Sequence, residues 1–132
     1  MGGLQILVVE DDLDAQQVFA ETLEWAGHSV RVAAHGQHAL DLLANDFRPQ
    51  IILLDLAMPV MDGLAFLARK RKIPRLTHIP VIVVSATAEP PIHGTCCVLR
   101  KPVDPSVLIA ALQTYAVPLK HASGEKDILP SA

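Results

Sequence analysis

The sequence has few cysteines, few aromatic residues and no long apolar run. Two of its 132 residues are cysteine and 4% are aromatic. Cys96 and Cys97 are neighbours, so a disulfide between them would have poor geometry. We interpret them as small core residues of a protein in a reducing compartment. A redox-active vicinal pair is the alternative that the composition leaves open.

The absence of a long apolar run also bears on location. No segment reaches the roughly 20 apolar residues of a membrane-spanning helix. The N-terminal apolar run is too short for a signal-peptide core, and three acidic residues follow it. The net charge of −3, from 11 basic and 14 acidic residues, gives no general attraction for nucleic acid. We therefore expect a soluble, cytoplasmic protein without membrane insertion or direct nucleic-acid binding.

The amino-acid composition favours one globular domain. Hydrophobic residues make up 51% of the chain and charged residues 19%, which is unlike a disordered protein. A chain of this length can bury its own core. We expect residues 1–117 to form the domain. Residues 118–132 show no hydrophobic periodicity and are expected to form a flexible C-terminal tail.

Hydrophobic periodicity predicts strands and helices that alternate along the chain. The first helix is expected to bury Ala15, Val18, Phe19, Leu23 and Ala26, and Gly27 is expected to end it. The predicted strands are 4–9, 29–33, 51–54, 81–85 and 96–99. The predicted helices begin at residue 12 or 13, at 36, at 62 and at 104, and end near residues 26, 46, 72 and 117.

Such alternation predicts an α/β fold with a parallel sheet and right-handed crossovers. One crossover is unusually short. Only residues 86–95 are available between the last two strands, and they include Pro90, Pro91 and Gly94. A crossover with a full helix takes at least about 10–12 residues. The helix that would normally lie here is therefore predicted to be shortened or absent.

Polar side chains stand where four of the predicted strands end. Glu10 and Asp11 follow the first strand, Asp55 the third, Ser85 the fourth and Lys101 the fifth. Parallel strands bring these ends to one edge, where open α/β sheets bind ligands. Clustered carboxylates need a cation, and their oxygens suit Mg²⁺, for which Mn²⁺ or Ca²⁺ could substitute. The hydroxyl and the ammonium would complete a clamp for a phosphoryl group, with a carboxylate as nucleophile.

In this order, these segments resemble the receiver domain of bacterial two-component response regulators. The resemblance covers about residues 4–116. It implies a flavodoxin-like, doubly wound five-stranded parallel sheet with strand order 2-1-3-4-5. The residues that carry it are Ile6 to Asp12, Asp55, Met58-Pro59, Met61-Asp62-Gly63, Pro80 to Ala86 and Lys101-Pro102.

The resemblance also implies a function. Asp55 would accept a phosphoryl group from a sensor histidine kinase or a phosphotransfer protein, and the domain would then act on a downstream protein. It would catalyse only its own phosphorylation and dephosphorylation. Ser85 and Lys101 would each contact a phosphoryl oxygen, and the bond between Lys101 and Pro102 would be cis. The implied ligands of Mg²⁺ are Glu10, Asp11, Asp55 and the backbone carbonyl of Ala57.

Two departures from the family pattern affect the expected output. Receivers often carry an aromatic residue three positions before the lysine, and here that residue is Val98. The shortened crossover also removes part of the usual signalling face. We hypothesise that the chain takes a phosphoryl group normally and reports it through a remodelled surface. Ala57 and Thr87, at the positions that gate water in the family, are small, so no unusually long-lived phosphorylated state is predicted.

Several alternatives compete with the interpretation as a phosphorylated receiver domain. The first is a degenerate receiver that binds partners without phosphorylation, and a weak homodimer is also open. A phosphatase with an aspartyl nucleophile is disfavoured because Ala57 stands where a second aspartate is needed.

The basic run 69–72 is interpreted as a solvated helix end rather than a nucleic-acid patch. Trp25 is expected to be partly buried, with a partner contact as the alternative.

Overall fold

A computed structural model describes residues 3–58, 61–87 and 92–118 of the chain. The described residues form a five-stranded sheet in the order β2-β1-β3-β4-β5, and every strand pair is parallel. The predicted order 2-1-3-4-5 is confirmed. Of the predicted tail 118–132, residues 119–132 lie outside the described residues. The strands are β1 Gln5–Val9, β2 Ser29–Ala33, β3 Ile51–Asp55, β4 Val81–Ser85 and β5 Cys97–Arg100.

Aspartates fix the beginnings of three helices. Asp12, Asp62 and Asp104 each accept a hydrogen bond from a backbone N–H in the first turn, which satisfies a donor that the helix itself leaves open. The predicted starts are confirmed. The helices are α1 Leu13–Trp25, α2 Gly36–Ala44, α3 Gly63–Arg71 and α4 Pro105–Tyr115.

Helices cover both faces of the sheet, and this explains the apolar strands. All residues of β3 and β4 are buried, as expected for central parallel strands. One apolar cluster packs beneath α2 and α3 around Phe66. The other packs beneath α1 and α4 around Leu23 and Leu112. The two layers hold the strand ends, and hence the polar residues on them, in fixed relative positions.

The short crossover has the predicted outcome. Residues 86–87 and 92–96, the parts of this connection that the structure describes, contain no helix. Helix α2 is also shorter than predicted. It ends at Ala44 rather than near residue 46. Its end is set by Asn45 and by Asp46, whose φ of 71° is left-handed, rather than by Pro49. Aspartate tolerates this conformation better than most residues.

The predicted burial is wrong for Val18, Trp25 and the two cysteines. Val18 and Trp25 on α1 are 61% and 89% exposed, because only the stripe through Phe19 and Leu23 faces the sheet. A partner contact for Trp25 stays a prediction. Cys96 is exposed and Cys97 only partly buried, so they are not core residues. Cys96 precedes β5 and faces away from the cluster that Cys97 contacts.

One buried imidazole leads to a prediction about pH. His28 is 8% exposed, and its Nδ1 accepts a hydrogen bond from the Leu4 N–H at 2.9 Å. Its Nε2 has no hydrogen-bond partner among the described residues. A second proton would therefore have to displace the Leu4 N–H in a buried place. Burial accordingly lowers the pKa of His28 below its ordinary value of 6.5.

We expect the free energy of unfolding to decrease as the pH falls below about 6.5. The unfolded chain then binds a proton at His28 that the folded chain does not, which costs up to about 1.4 kcal/mol per pH unit. Chemical denaturation between pH 5 and 7.5 measures this slope (roughly the range in which histidine titrates). His28→Asn, whose Oδ1 can still accept from the Leu4 N–H, should show a shallower slope. Equal slopes in the two proteins would exclude His28 as the cause.

Candidate functional site at the carboxyl edge of the sheet

Strand register brings the predicted site residues to one edge. Val9 pairs with Leu54, so Glu10 and Asp55 are the next residues on adjacent strands. Asp55 pairs with Val84, so Ser85 follows at the same edge. Ser85 pairs with Arg100 on β5, and the Lys101 N–H donates to the Ser85 carbonyl at 2.9 Å.

Three carboxylates and one ammonium meet at this edge. Glu10, Asp11 and Asp55 each offer an oxygen, and these oxygens lie within 4.8 Å of one another. Lys101 Nζ lies 2.9 Å from Glu10 Oε1 and 3.7 Å from Asp55 Oδ2. Glu10 and Asp55 are buried, whereas Asp11 is exposed. Three formal charges of −1 and one of +1 sum to −2, so the cluster favours a further cation.

Glu10 is held more firmly than the sequence alone indicates. Its Oε1 accepts from Lys101, and its Oε2 accepts from the Asp12 N–H at 3.1 Å. The Glu10 carbonyl accepts from Gln16 Nε2 at 2.6 Å. Asp12 therefore caps α1 with its side chain and orients Glu10 with its backbone. The pairing of Lys101 with Glu10 spans 91 positions, and no local pattern predicts it.

Lys101 is strongly coupled to the acids. Burial alone would lower its pKa, but the hydrogen bond to Glu10 and the charges of Glu10 and Asp55 raise the pKa above its ordinary value of 10.5. The ammonium thus stays charged at neutral pH. The peptide bond between Lys101 and Pro102 is cis, as the resemblance implied.

The loop after β3 needs glycine close to Asp55. Asp55 Oδ1 accepts from the Ala57 N–H at 3.3 Å, and the Gly63 N–H donates to the Leu56 carbonyl at 2.9 Å. A Cβ on Gly63 would lie 2.7 Å from Leu56 Cα and 2.9 Å from the Asp55 carbonyl oxygen. Such contacts are too short for any side chain. The Asp62-Gly63 pair therefore combines a helix cap with a close approach of two backbones.

The remaining predicted site residues lie nearby. Ser85 is buried, and its Oγ accepts from the Thr87 N–H at 3.2 Å. Ala57 and Thr87 are exposed, and Val98 packs partly buried against the cluster around Phe66. The structure thus gathers the predicted residues at one edge, and their chemical roles stay predictions.

An open groove adjoins the acidic cluster. It has a volume of about 590 Å³ and runs between α1 and the segment that follows β5. Its walls include Ala15, Val18 and Phe19 on one side and Lys101 and Pro102 on the other. Exposed apolar residues such as Val18 therefore border this groove, which adjoins the acidic cluster.

Comparison with known proteins agrees with this geometry. The profile of the response regulator receiver domain family matches residues 6–113. The chain belongs to this family, and a receiver domain is a signalling domain. In the described part of the chain, every helix is too short or too polar to cross a membrane.

Individual relatives show how far the similarity extends. The chain is 36% identical over 120 residues to an uncharacterized 14.6 kDa protein of Leptolyngbya boryana, covering 86% of this chain and 91% of that protein. It is 37% identical over 83 residues to the response regulator MprA of Mycolicibacterium vanbaalenii, covering 63% of this chain. The match spans only 35% of MprA, so the activity of that whole protein does not transfer.

Solved structures share the fold over nearly the same span. The chemotaxis protein CheY4 of Vibrio cholerae superimposes with a TM-score of 0.78 at 29% identity, covering 86% of this chain and 99% of that one. A sensor protein from Polaromonas sp. gives a TM-score of 0.79 at 27% identity, with coverage of 85% and 94%.

Proposed function

We propose that this receiver accepts a phosphoryl group on Asp55 in a Mg²⁺-dependent reaction and signals through protein partners. The observation that supports this most strongly is the cluster of Glu10, Asp11 and Asp55 within 4.8 Å, with Lys101 against two of the three acids. Two carboxylates that serve only the fold would not be buried around one ammonium with a third carboxylate beside them, because the mutual repulsion of the three is costly.

The donor set fits Mg²⁺. That ion prefers a few carboxylate oxygens and keeps several waters, and Asp11 is exposed enough for a hydrated ion to approach. We propose Glu10, Asp11, Asp55 and the carbonyl of Ala57 as the residues that hold it. When bound, the ion neutralises charge on the carboxylates and on phosphoryl oxygens. Mn²⁺ or Ca²⁺ would serve as substitutes.

The chain's own residues would then perform a simple displacement. A carboxylate oxygen of Asp55 attacks phosphorus, a new O–P bond forms, and the P–N bond to the donor's histidine breaks. The imidazole leaves with the electron pair of that bond and takes up a proton. Lys101, charged at neutral pH, compensates phosphoryl charge, and the Ser85 hydroxyl contacts another oxygen. The reaction consists mainly of positioning and charge compensation.

The groove beside the cluster supports a protein as donor. It places apolar side chains of α1 next to Lys101, which suits a helical or loop surface of a histidine kinase or phosphotransfer protein. We propose that the receiver domain of residues 1–117 acts in the cytoplasm and passes its signal to another protein, without binding nucleic acid itself. Apart from its own phosphorylation and dephosphorylation, it would catalyse no reaction.

Acetyl phosphate, a small phosphoryl donor, tests the proposal. Incubated with the donor and Mg²⁺, the intact protein should gain the mass of one phosphoryl group. With EDTA in place of Mg²⁺, the gain should be largely lost. If no mass is gained with either Mg²⁺ or Mn²⁺, while beryllofluoride also fails to bind, the proposed chemistry is wrong.

A second candidate, an interaction domain that works without phosphorylation, is favoured by two observations. The described parts of the crossover between β4 and β5 contain no helix, and Val98 replaces the usual aromatic residue. Both features alter the surface that would report phosphorylation. The same mass measurement separates the two candidates, because a degenerate receiver would stay unlabelled under all conditions.

Divalent ions should also stabilise the fold. A ligand that binds only the folded state, present at ten times its dissociation constant, adds about 1.4 kcal/mol to the free energy of unfolding. We expect the melting temperature to rise with Mg²⁺ and to saturate. Asp11→Asn should weaken this response, whereas Asp41→Asn, at an exposed position on α2, should leave it intact. An unchanged melting temperature would argue against the metal site.

A further inference from the structure

A buried lysine lies at the C-terminal end of α3. Lys70 belongs to the basic run 69–72, which the sequence suggested was fully solvated, and that prediction is wrong for this residue because it is only 6% exposed. The spacing explains its burial: Lys70 follows Phe66 by four positions and Leu67 by three, so all three lie on the buried face of the helix. Burial lowers the pKa of its ammonium below the ordinary value of 10.5.

Among the described residues, the Lys70 side chain forms no ion pair with a carboxylate. Buried ammonium groups are normally paired, because desolvation of an isolated charge is costly. Cys96 lies near enough to raise the pKa of Lys70, but burial has the larger effect, and the pKa stays below its ordinary value.

The lysine instead faces a cavity. A pocket of about 190 Å³ is lined by Leu67, Lys70 and Arg71 from α3, by Thr77, and by His93 and Gly94. The volume suits a small group and is below the roughly 300 Å³ at which sites for drug-sized ligands begin. Arg71 and His93 are exposed and add cationic or hydrogen-bonding capacity at its mouth.

The cavity is separate from the acidic cluster. Helix α3 runs back from the carboxyl edge of the sheet, so its last turn lies at the amino edge. Thr77 precedes β4 and His93 precedes β5, which places them at the same amino edge. A ligand here would therefore not compete with a phosphoryl group on Asp55.

We propose that this cavity binds a small, doubly charged oxyanion such as phosphate, with the Lys70 ammonium as its principal contact. Lys70 and Arg71 together carry two positive charges, and this favours a dianion over a monocarboxylate. The negative end of the α3 dipole opposes an anion. The Arg69 and Lys70 carbonyls, however, already accept from the Lys72 and Ile73 N–H groups, and the positive charges of the basic run 69–72 act against the dipole.

Titration of the metal-free protein with inorganic phosphate tests the proposal by two-dimensional amide NMR. EDTA removes divalent ions, so that the acidic cluster repels the probe. The amide signals of Thr77, Gly94 and Thr95 should shift and saturate. In Lys70→Met the apparent affinity should fall by at least about tenfold. Lys72→Met, which changes the exposed lysine directly after α3, should behave like the wild type.

Three results would overturn the proposal. The first is that the wild type shows no saturating shifts. The second is that Lys70→Met, or Lys70→Gln where the methionine variant is poorly folded, binds phosphate as tightly as the wild type. The third is a melting temperature of Lys70→Met far below that of the wild type in anion-free buffer, since the ammonium would then serve the fold. Acetate binding as tight as phosphate binding would contradict the assignment to a dianion.

Discussion

Asp55→Asn is expected to abolish labelling of the protein by acetyl phosphate. The amide that replaces the carboxylate is a far weaker nucleophile and removes one of the three clustered acids. The change is nearly isosteric, and the Asn Oδ1 can still accept from the Ala57 N–H that now bonds Asp55 at 3.3 Å. The variant should therefore fold while losing at least about 99% of the label, as expected when a nucleophile is removed.

Asp41→Asn is the matched control for this variant. Asp41 lies exposed on α2 and contacts Gln37 and Asn45, far from the carboxyl edge. The Asp41→Asn variant carries the same change from carboxylate to amide, and it should be labelled like the wild type. Peptide mapping of the labelled wild type should place the phosphoryl group on the peptide that contains Asp55. Full labelling of Asp55→Asn would mean that another residue is the acceptor.

Lys101→Met should have the second-largest effect, because it removes the ammonium that two buried acids share. Glu10 would lose its partner at 2.9 Å, and breaking a buried pair in this way costs about 3 kcal/mol. We expect this loss in chemical denaturation at neutral pH, together with slower phosphoryl transfer. Since the pKa of Lys101 is raised, the wild type keeps this stabilisation below pH 10.5 and loses it only as the pH rises through the folded-state pKa.

Addition of Mg²⁺ distinguishes a role of Lys101 at the acidic cluster from a purely structural role. A bound divalent ion should replace part of the missing positive charge, so the stability gap between Lys101→Met and the wild type should narrow when Mg²⁺ is added. Lys72→Met removes the same ammonium from an exposed site and should alter neither labelling nor stability. A Lys101→Met protein as stable and as readily labelled as the wild type would show that the ion pair has no role.

Local patterns were sufficient to predict most of the fold. The predicted starts of three helices agree with the caps at Asp12, Asp62 and Asp104, because a cap depends only on the next three residues. The apolar runs 51–54 and 81–84 predicted the strands β3 and β4 for a similarly local reason. The alternation of strands and helices was then enough to predict that Glu10, Asp55 and Ser85 lie at a common edge.

The predictions that failed depend on details that local patterns do not specify. Val18 and Trp25 are apolar but lie off the stripe that faces the sheet, and propensity does not reveal which flank of a helix is covered. Cys96 looked like a core residue because cysteine usually is one. Lys70 could have been identified from its spacing to Phe66 and Leu67, but its charge pointed to solvent.

A crystal structure of the protein with Mn²⁺ and beryllofluoride is the most direct test of the central claim. Mn²⁺ is located by its anomalous scattering, and beryllofluoride imitates a phosphoryl group on a carboxylate. The proposal predicts one metal ion between Asp11 and Asp55. It also predicts that the beryllofluoride group is attached to Asp55 and that Lys101 is turned towards this group. A metal ion bound elsewhere, or the absence of beryllofluoride from Asp55 at a saturating beryllofluoride concentration, would contradict the proposal.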